Sequence, residues 1–374
     1  MLFALSMLDS CDNFVVSCRM AIPPTGRSTS LNPGNRFEAL HIGPAPDDIA
    51  GYFEPPDADR REPTIFFRDR SLSILSKNDS PDLGFAYSMN PYRGCEHGCV
   101  YCYARPSHEY LGFSSGLDFE TKILVKYDAP DLLAQAFDKT SWQPQVVALS
   151  GNTDCYQPVE RTLGITRKCL EVFLRYRNPV GIITKNALIQ RDIDILSRLS
   201  ELNLVFVSVS ITTIRQELAR SMEPRTASVR KRFETIHRLH EAGVPVGVNI
   251  APIIPGLNDE EIPALLTEAA RCGASRASHT MIRLPYAVKD LFIEWLQRTL
   301  PDRSGKIVAR IRSIRGGGLS SSEYGKRMTG EGEIAEAISR LFRMTCTRLG
   351  LNTSRVALAT THFRRPGPEQ LRFL

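Results

Sequence analysis

From about residue 84 to residue 290 the chain alternates short apolar runs with longer amphipathic stretches. The runs are "GFAYSMN" (84–90), "QVVALSG" (145–151), "PVGIITK" (179–185), "NLVFVSVSI" (203–211), "PVGVNIAPI" (245–253) and "ASHTMIRL" (277–284). They are rich in Val and Ile on both faces rather than alternating, the pattern of strands in a parallel sheet covered by helices. Between them lie "DAPDLLAQAFDK", "ERTLGITRKCLEVFLRY", "RDIDILSRLSEL", "SVRKRFETIHRLHEAG" and "NDEEIPALLTEAARCG", each with the spacing of a half-buried helix. Strand and helix in regular alternation predict an α/β fold with a parallel sheet, either doubly wound or a partial barrel. Asp and Asn at the starts of "DAPDLLAQAF" and "NDEEIPALL" predict capped helices, and Asn203 and Gly243 predict helix ends. The run "DFETKILVKY" reads as an inserted edge strand.

Two flanking regions lack this rhythm. Residues 1–84 form a leader rich in Pro, Gly, Asp and Arg, expected to be largely irregular, with Met20 as an alternative start. If translation begins there, Cys11 and Cys18 carry no information. The core domain is expected at 85–290 and a basic extension at 291–374. From residue 301 onward, 14 Lys and Arg face 6 Asp and Glu, whereas the whole 374-residue chain carries a net charge of only +6. Such a region suits a nucleic acid or other phosphate-bearing partner, and equally a solvated surface. No stretch approaches the roughly 20 apolar residues of a membrane span, and the apolar start lacks the basic residue of a secretory signal. A cytoplasmic protein with no membrane partner is therefore expected.

Polar and glycine-rich residues gather just after the apolar runs, in "RGCEHGCVYC", "SGNTDCYQPVE", "TKN", "SITT", "PIIPGLND" and "RLPY". The carboxyl ends of parallel strands are where such folds build their sites, so these segments are expected to share one rim. The first of them carries the strongest chemistry. Cys95, Cys99 and Cys102 place three soft ligands within eight residues. A zinc knot would need a fourth ligand, for which His97 and His108 are the nearby candidates. Three thiolates on a four-iron cluster would instead leave one iron open for chemistry. Cys169, Cys272 and Cys346 lie in helix-like surroundings that suit buried, inert thiols.

The spacing C-x3-C-x2-C, with an aromatic before the last Cys, resembles the signature of radical S-adenosylmethionine (SAM) enzymes. The resemblance spans about residues 85–290. It implies an α/β fold, a partial (β/α)6 TIM-like barrel of parallel strands with the N-terminal leader and the basic C-terminal extension attached. It also implies a [4Fe–4S] cluster on Cys95, Cys99 and Cys102, SAM on the open iron, and an electron donor of flavodoxin or ferredoxin type. Within the superfamily, "NTDCYQPVE", "MEPR", "APIIPGLND" and the terminal "THFRRPGPEQLRFL" look most like an uncharacterised bacterial group related to spore photoproduct lyase.

By that resemblance Ser150, Gly151 and Asn152 would receive the amino group of SAM. Lys185 would meet its carboxylate or ribose, Ser208 or Ser210 its ribose, and Arg225, with Glu223 beside it, a carboxylate. The lyase carries a hydrogen-donating cysteine just before its Thr/Ser-Asp pair. Here Gly151 or Asn152 stands near that place and Cys155 lies just after Asp154, so Cys155 is the candidate hydrogen donor. Tyr101 and Tyr103, which flank Cys102, are candidates for passing a radical or packing on adenine. The charges of "RIRSIRGGG" are candidates for a phosphate backbone. Three functions stay open at this point: a radical enzyme acting on nucleic acid, one acting on a small molecule, and a non-catalytic metal-bound module.

Overall fold

The computed structural model describes residues 22–37, 61–354 and 357–366. Met20, Cys11, Cys18 and the end of the "THFRRPGPEQLRFL" phrase lie outside the described residues. Among the described residues there are ten strands: β1 Ile65–Arg68, β2 Leu75–Lys77, β3 Tyr87–Met89, β4 Tyr92–Arg93, β5 Lys122–Val125, β6 Val147–Leu149, β7 Val180–Thr184, β8 Val205–Ser210, β9 Val246–Ile253 and β10 Arg276–Met281.

Seven strands form the main sheet in the order β10-β9-β8-β7-β6-β3-β2. From β3 to β10 every neighbour is parallel, and only β2 runs antiparallel at its edge. The six apolar runs are thus the six parallel strands, laid down in chain order. Among the described residues no pairing joins β10 to β2, so the sheet stays open. Val205, Val207 and Val209 of β8 are buried, on the opposite face of the strand from Ser208. Helices Ala129–Asp138, Ile165–Tyr176, Ile193–Glu201, Val229–Glu241 and Ile262–Arg271 supply Leu133, Phe173, Leu196, Ile236 and Leu265 to the same core as these valines.

Asn203 and Gly243 take the left-handed conformation expected of helix ends, at φ 53° and 71°. The expected caps fare less well. Neither Asp128 nor Asn258 caps through its side chain; the Asn258 carboxamide instead accepts from Ile254 N at 2.6 Å and donates to Thr212 O at 2.8 Å, tying two loops of the rim. "DFETKILVKY" is not one edge strand. Leu117–Thr121 is a helical turn, and β5 is the centre of a separate sheet ordered β1-β5-β4. A strand of four residues needs partners from elsewhere in the chain, and β1 lies in a region without apolar rhythm.

Two flanking segments matter to the site. Residues 22–37 have no regular structure, yet Arg27, Ser28 and Asn35 are buried. Near the other end, Gly325 N donates to Asp82 at 2.7 Å, Arg327 pairs with the same carboxylate at 2.5 Å, and helix Lys326–Thr329 lies against β10. This segment therefore spans from one edge of the open sheet to the turn between β2 and β3. Arg315 of "RIRSIRGGG" does not face solvent: it is 5% exposed and donates to Ile282 O and Lys326 O at 2.6 and 2.8 Å. A guanidinium so buried holds the extension in place and is not available to a phosphate backbone.

Candidate active site

The cysteines lie on the loop that follows β3 and β4, at the carboxyl ends of the parallel strands. The loop is held from beneath. Cys95 N donates to Phe119 O at 2.9 Å and Val100 N to Met222 O at 2.9 Å. Gly98 has φ +63°, and a Cβ there would sit 2.6 Å from the Glu120 carboxylate, so only glycine lets the loop settle onto that acid. Arg105 is fully buried and spends its whole guanidinium on the same task. It donates to Cys99 O at 2.9 Å, to Gly116 O at 2.8 Å, to Ser28 Oγ at 3.0 Å and to Glu120 at 2.5 Å. Through Ser28 and Arg27, which donates to Glu120 O at 2.8 Å, the N-terminal segment is fastened to the underside of the loop.

The cysteines are free thiols. Cys95 and Cys99 are buried and Cys102 is half-buried. Burial pushes the Cys99 thiol well above its ordinary value; Lys185 opposes this, while Glu223, Cys102 and Cys95 add to it. Burial raises Cys102 as well, and Cys95 adds to it. Three soft thiols on one loop, of which burial raises Cys99 and Cys102, are a donor set suited to a cation-rich group that would take their protons' place.

His97, between the first two cysteines, is buried, with Nδ1 3.4 Å from Asp154 Oδ2. Burial works against its charge, but Asp154, with help from Cys95, outweighs it and holds the imidazole up to about 9. Asp154 pays for its own burial in the same way, and His97 together with backbone donors draws it down to about 2. Its carboxylate also accepts from Thr184 Oγ1 at 2.8 Å, Lys185 N at 2.7 Å and Tyr156 N at 2.9 Å. Asn186 completes the group, with Nδ2 3.2 Å from His97 Nε2. His108 is otherwise engaged: Nε2 donates to Lys122 O at 2.9 Å and the ring packs on Phe113 and Phe119. Neither histidine is offered as a fourth metal ligand.

A second buried group stands on the other flank of Cys99. Glu223 receives the Tyr101 hydroxyl and pairs with Arg232 at 2.8 Å; Cys99 Sγ lies 3.9 Å from it. Burial raises the Glu223 carboxyl, but Arg232 and Lys185 outweigh it and hold it below the ordinary range. Lys185 is half-buried, makes no ion pair among the described residues and sits 5.9 Å from the Tyr101 ring centre. Burial pulls its ammonium down, yet Cys99 and Glu223 raise it further.

The end of β6 brings Ser150, Gly151 and Asn152 to the same rim. Ser150 has φ 80°, unusual for a residue with a Cβ, and its Oγ accepts from Cys155 N at 2.8 Å. Gly151 passes close to Ser88, at 3.3 Å for a built Cβ, and its carbonyl accepts the Tyr103 hydroxyl. Asn152 is exposed, and its backbone is held by Asn90 at 2.9 Å. Ser208 and Ser210 share the face of β8 away from the valine core; Ser208 is half-buried and Ser210 is 2% exposed.

Three candidates are enclosed or paired. Cys155 is completely buried in the main core, with its N donating to Ser150 Oγ at 2.8 Å and its carbonyl accepting from Thr166 Oγ1 at 2.6 Å, so its thiol is packed and not open to solvent. Tyr101 is 6% exposed with its hydroxyl taken by Glu223 and Thr212, which leaves it a support of the loop. Arg225 pairs with Glu96 at 3.1 Å, not with Glu223, and lines a separate cavity. Tyr103, by contrast, is 47% exposed.

Sequence reading missed Asp154, His97, Arg105 and Arg232 as a supporting frame, because their partners lie in other segments. It also missed Arg283, just after β10 within the quoted "RLPY" segment. Its guanidinium lies 5.2 Å from the Tyr103 ring centre, and no carboxylate pairs with it among the described residues.

An α/β fold with a cysteine loop on the strand carboxyl ends defines a class of cofactor enzyme, and the comparisons name it. Residues 89–269 match the radical SAM superfamily. An uncharacterized protein of Mycobacterium bovis is 34% identical over 234 residues, covering 62% of this chain and 68% of that one. A radical SAM Nalpha-GlyT isomerase of Pseudomonas phage M6 is 21% identical over 64% of this chain and 48% of its own. A spore photoproduct lyase mutant with bound AdoMet and dinucleoside spore photoproduct shares the fold, with TM-score 0.54 and 18% identity over 76% of this chain and 80% of that one. The chain belongs to the radical SAM superfamily and is an enzyme of it, and it shares its fold with spore photoproduct lyase. Its members use a [4Fe–4S] cluster and SAM and draw on a reducing partner, which sets aside the non-catalytic module. The three thiols of the loop fit such a cluster in number and softness.

Proposed function

We propose that Cys95, Cys99 and Cys102 hold the [4Fe–4S] cluster, that SAM fills the remaining coordination position, and that the enzyme acts on nucleic acid. When bound, cluster and SAM together supply an electron and a 5′-deoxyadenosyl radical that abstracts hydrogen. The chain's own residues orient and select. Lys185, an ammonium without an ion pair, is placed to meet the SAM carboxylate, and the Asn152 side chain and the backbone of Ser150 and Gly151 to meet its amino group. Ser208 faces the ribose, with Ser210 below it on the same face. Tyr103 borders the substrate space.

The observation that carries the choice of substrate is Arg283. Burial and the neighbouring Arg327 lower its pKa while Tyr103 and Asp82 oppose the shift, and no carboxylate pairs with its charge among the described residues. A phosphate beside it would supply the counter-charge, and a planar guanidinium 5.2 Å from the Tyr103 ring centre suits a phosphate fork. The lyase structure with its dinucleoside photoproduct supports the same substrate class. The test is SAM cleavage by reconstituted enzyme with dithionite, with and without DNA and RNA oligonucleotides, followed by mass spectrometry of nucleic acids from a deletion strain and its parent. Release of 5′-deoxyadenosine stimulated by one nucleic acid, and a base that differs between strains, is expected. Release unaffected by either, with unaltered nucleic acids, overturns the substrate assignment.

A further inference from the structure

A cavity of about 630 Å³ lies beside the cysteine loop, built by the segments after β6, β7 and β8 and by helix Val229–Glu241. Its lining includes Arg161, Asn186, Arg191, Arg225, Lys231 and Glu234. Every acid near it is already paired: Glu234 with Arg238 at 3.1 Å, Glu160 and Asp192 with Arg191 at 2.8 Å, and Glu96 with Arg225 at 3.1 Å. Arg161 and Lys231 are exposed and have no ion-pair partner among the described residues. The face is therefore net positive, with two uncommitted cations at its mouth.

Its wall reaches the cysteines through very little protein. Asn186 lies 3.2 Å from His97 Nε2, and His97 stands two residues after Cys95 and two before Cys99. Arg225 N donates to His97 O at 3.4 Å, and its guanidinium pairs with Glu96, the residue after Cys95. Arg283, the cation assigned to the substrate, comes from the end of a different strand, β10.

We infer that this face docks an acidic electron-transfer protein of the flavodoxin class. It rests on the reading of Cys95, Cys99 and Cys102 as cluster ligands. The donor gives up one electron and the group on the cysteines gains it; no bond is made or broken between the two proteins. Opposed charges hold the encounter, so binding weakens as salt rises.

The test is calorimetric titration of the chain with a bacterial flavodoxin at low and high salt, alongside R161E/K231E and, as a control with the same charge change elsewhere, K306E/R312E. Wild type and control should bind alike, with affinity falling as salt is added. R161E/K231E should bind roughly tenfold or more weakly with an unchanged circular dichroism spectrum. It should also cleave SAM normally with dithionite and slowly with reduced flavodoxin. Equal affinity of R161E/K231E and wild type overturns the inference, as does equal weakening by the control. Loss of DNA-oligonucleotide binding in R161E/K231E with flavodoxin binding intact reassigns the face to nucleic acid. Failure of wild type to cleave SAM with dithionite would refute the cluster reading instead, and the binding data separate the two failures.

Discussion

The carboxylate of Asp154 and the imidazole of His97, 3.4 Å apart, lock the end of β6 to the cysteine loop. The same carboxylate holds the end of β7 through Thr184 and Lys185. One side chain thus fixes the loop against two strands. Asp154→Asn keeps the shape and removes the charge, leaving His97 buried without its counter-ion. Breaking a buried pair costs about 3–5 kcal/mol, so the urea midpoint should fall clearly and anaerobic iron incorporation with it. An unchanged midpoint would mean that the pair contributes nothing to the frame.

The two tyrosines beside Cys102 should separate in their behaviour. Tyr101→Phe loses hydrogen bonds to Glu223 and Thr212 and should cost about 1–3 kcal/mol of stability while SAM cleavage survives. Tyr103→Phe, at a half-exposed ring, should leave stability within about 0.5 kcal/mol and reduce turnover of substrate. Denaturant midpoints and product assays on both variants decide it; the reverse pattern would make Tyr101 the catalytic member.

Cys155→Ala tests the burial of that thiol. The enzyme should keep its substrate turnover and lose about 1 kcal/mol from the small cavity. A thiol donating hydrogen to a product radical would instead give a variant that cleaves SAM and forms little product, a difference visible by mass spectrometry of the products.

His108 provides a pH dependence away from the cysteines. Burial holds its imidazole down to about 4, against 6.5 ordinarily. Between those values the unfolded chain binds a proton that the folded chain refuses, so the stability His108 contributes is complete above pH 6.5 and is lost as pH falls toward 4. The slope approaches about 1.4 kcal/mol per pH unit within that window. His108→Gln, which keeps a donor for Lys122 O, should flatten it in denaturation measured from pH 4 to 7. Parallel curves for the two proteins would count against the assignment.

The parallel sheet was legible because strands covered on both sides are apolar on both sides, as in "LVFVSVSI", and need no partner to be recognised. The cysteine triplet was legible because its ligands are local. What escaped reading depends on meetings across the chain. Glu223 lies beside Arg225 in sequence yet pairs with Arg232, one turn into the next helix, while Arg225 takes Glu96 from the cysteine loop. Arg105 stands two residues after Tyr103 with nothing local to mark it as the buried bolt of the loop. Cys155 follows Asp154 whether it is open or packed, and only the folded core, to which helix Ile165–Tyr176 contributes, encloses it. The strand β5 gave an apolar run, but its place in a second sheet is set by β1 and β4.

The central claim is that the cysteine loop grips a cluster at three corners and leaves the fourth to SAM. Electron paramagnetic resonance of anaerobically reconstituted, dithionite-reduced protein, recorded before and after adding SAM, tests it most directly. The account predicts a [4Fe–4S]⁺ signal that changes on SAM addition and that vanishes in C95A/C99A/C102A. A signal indifferent to SAM, or one that persists in the triple variant, would contradict it.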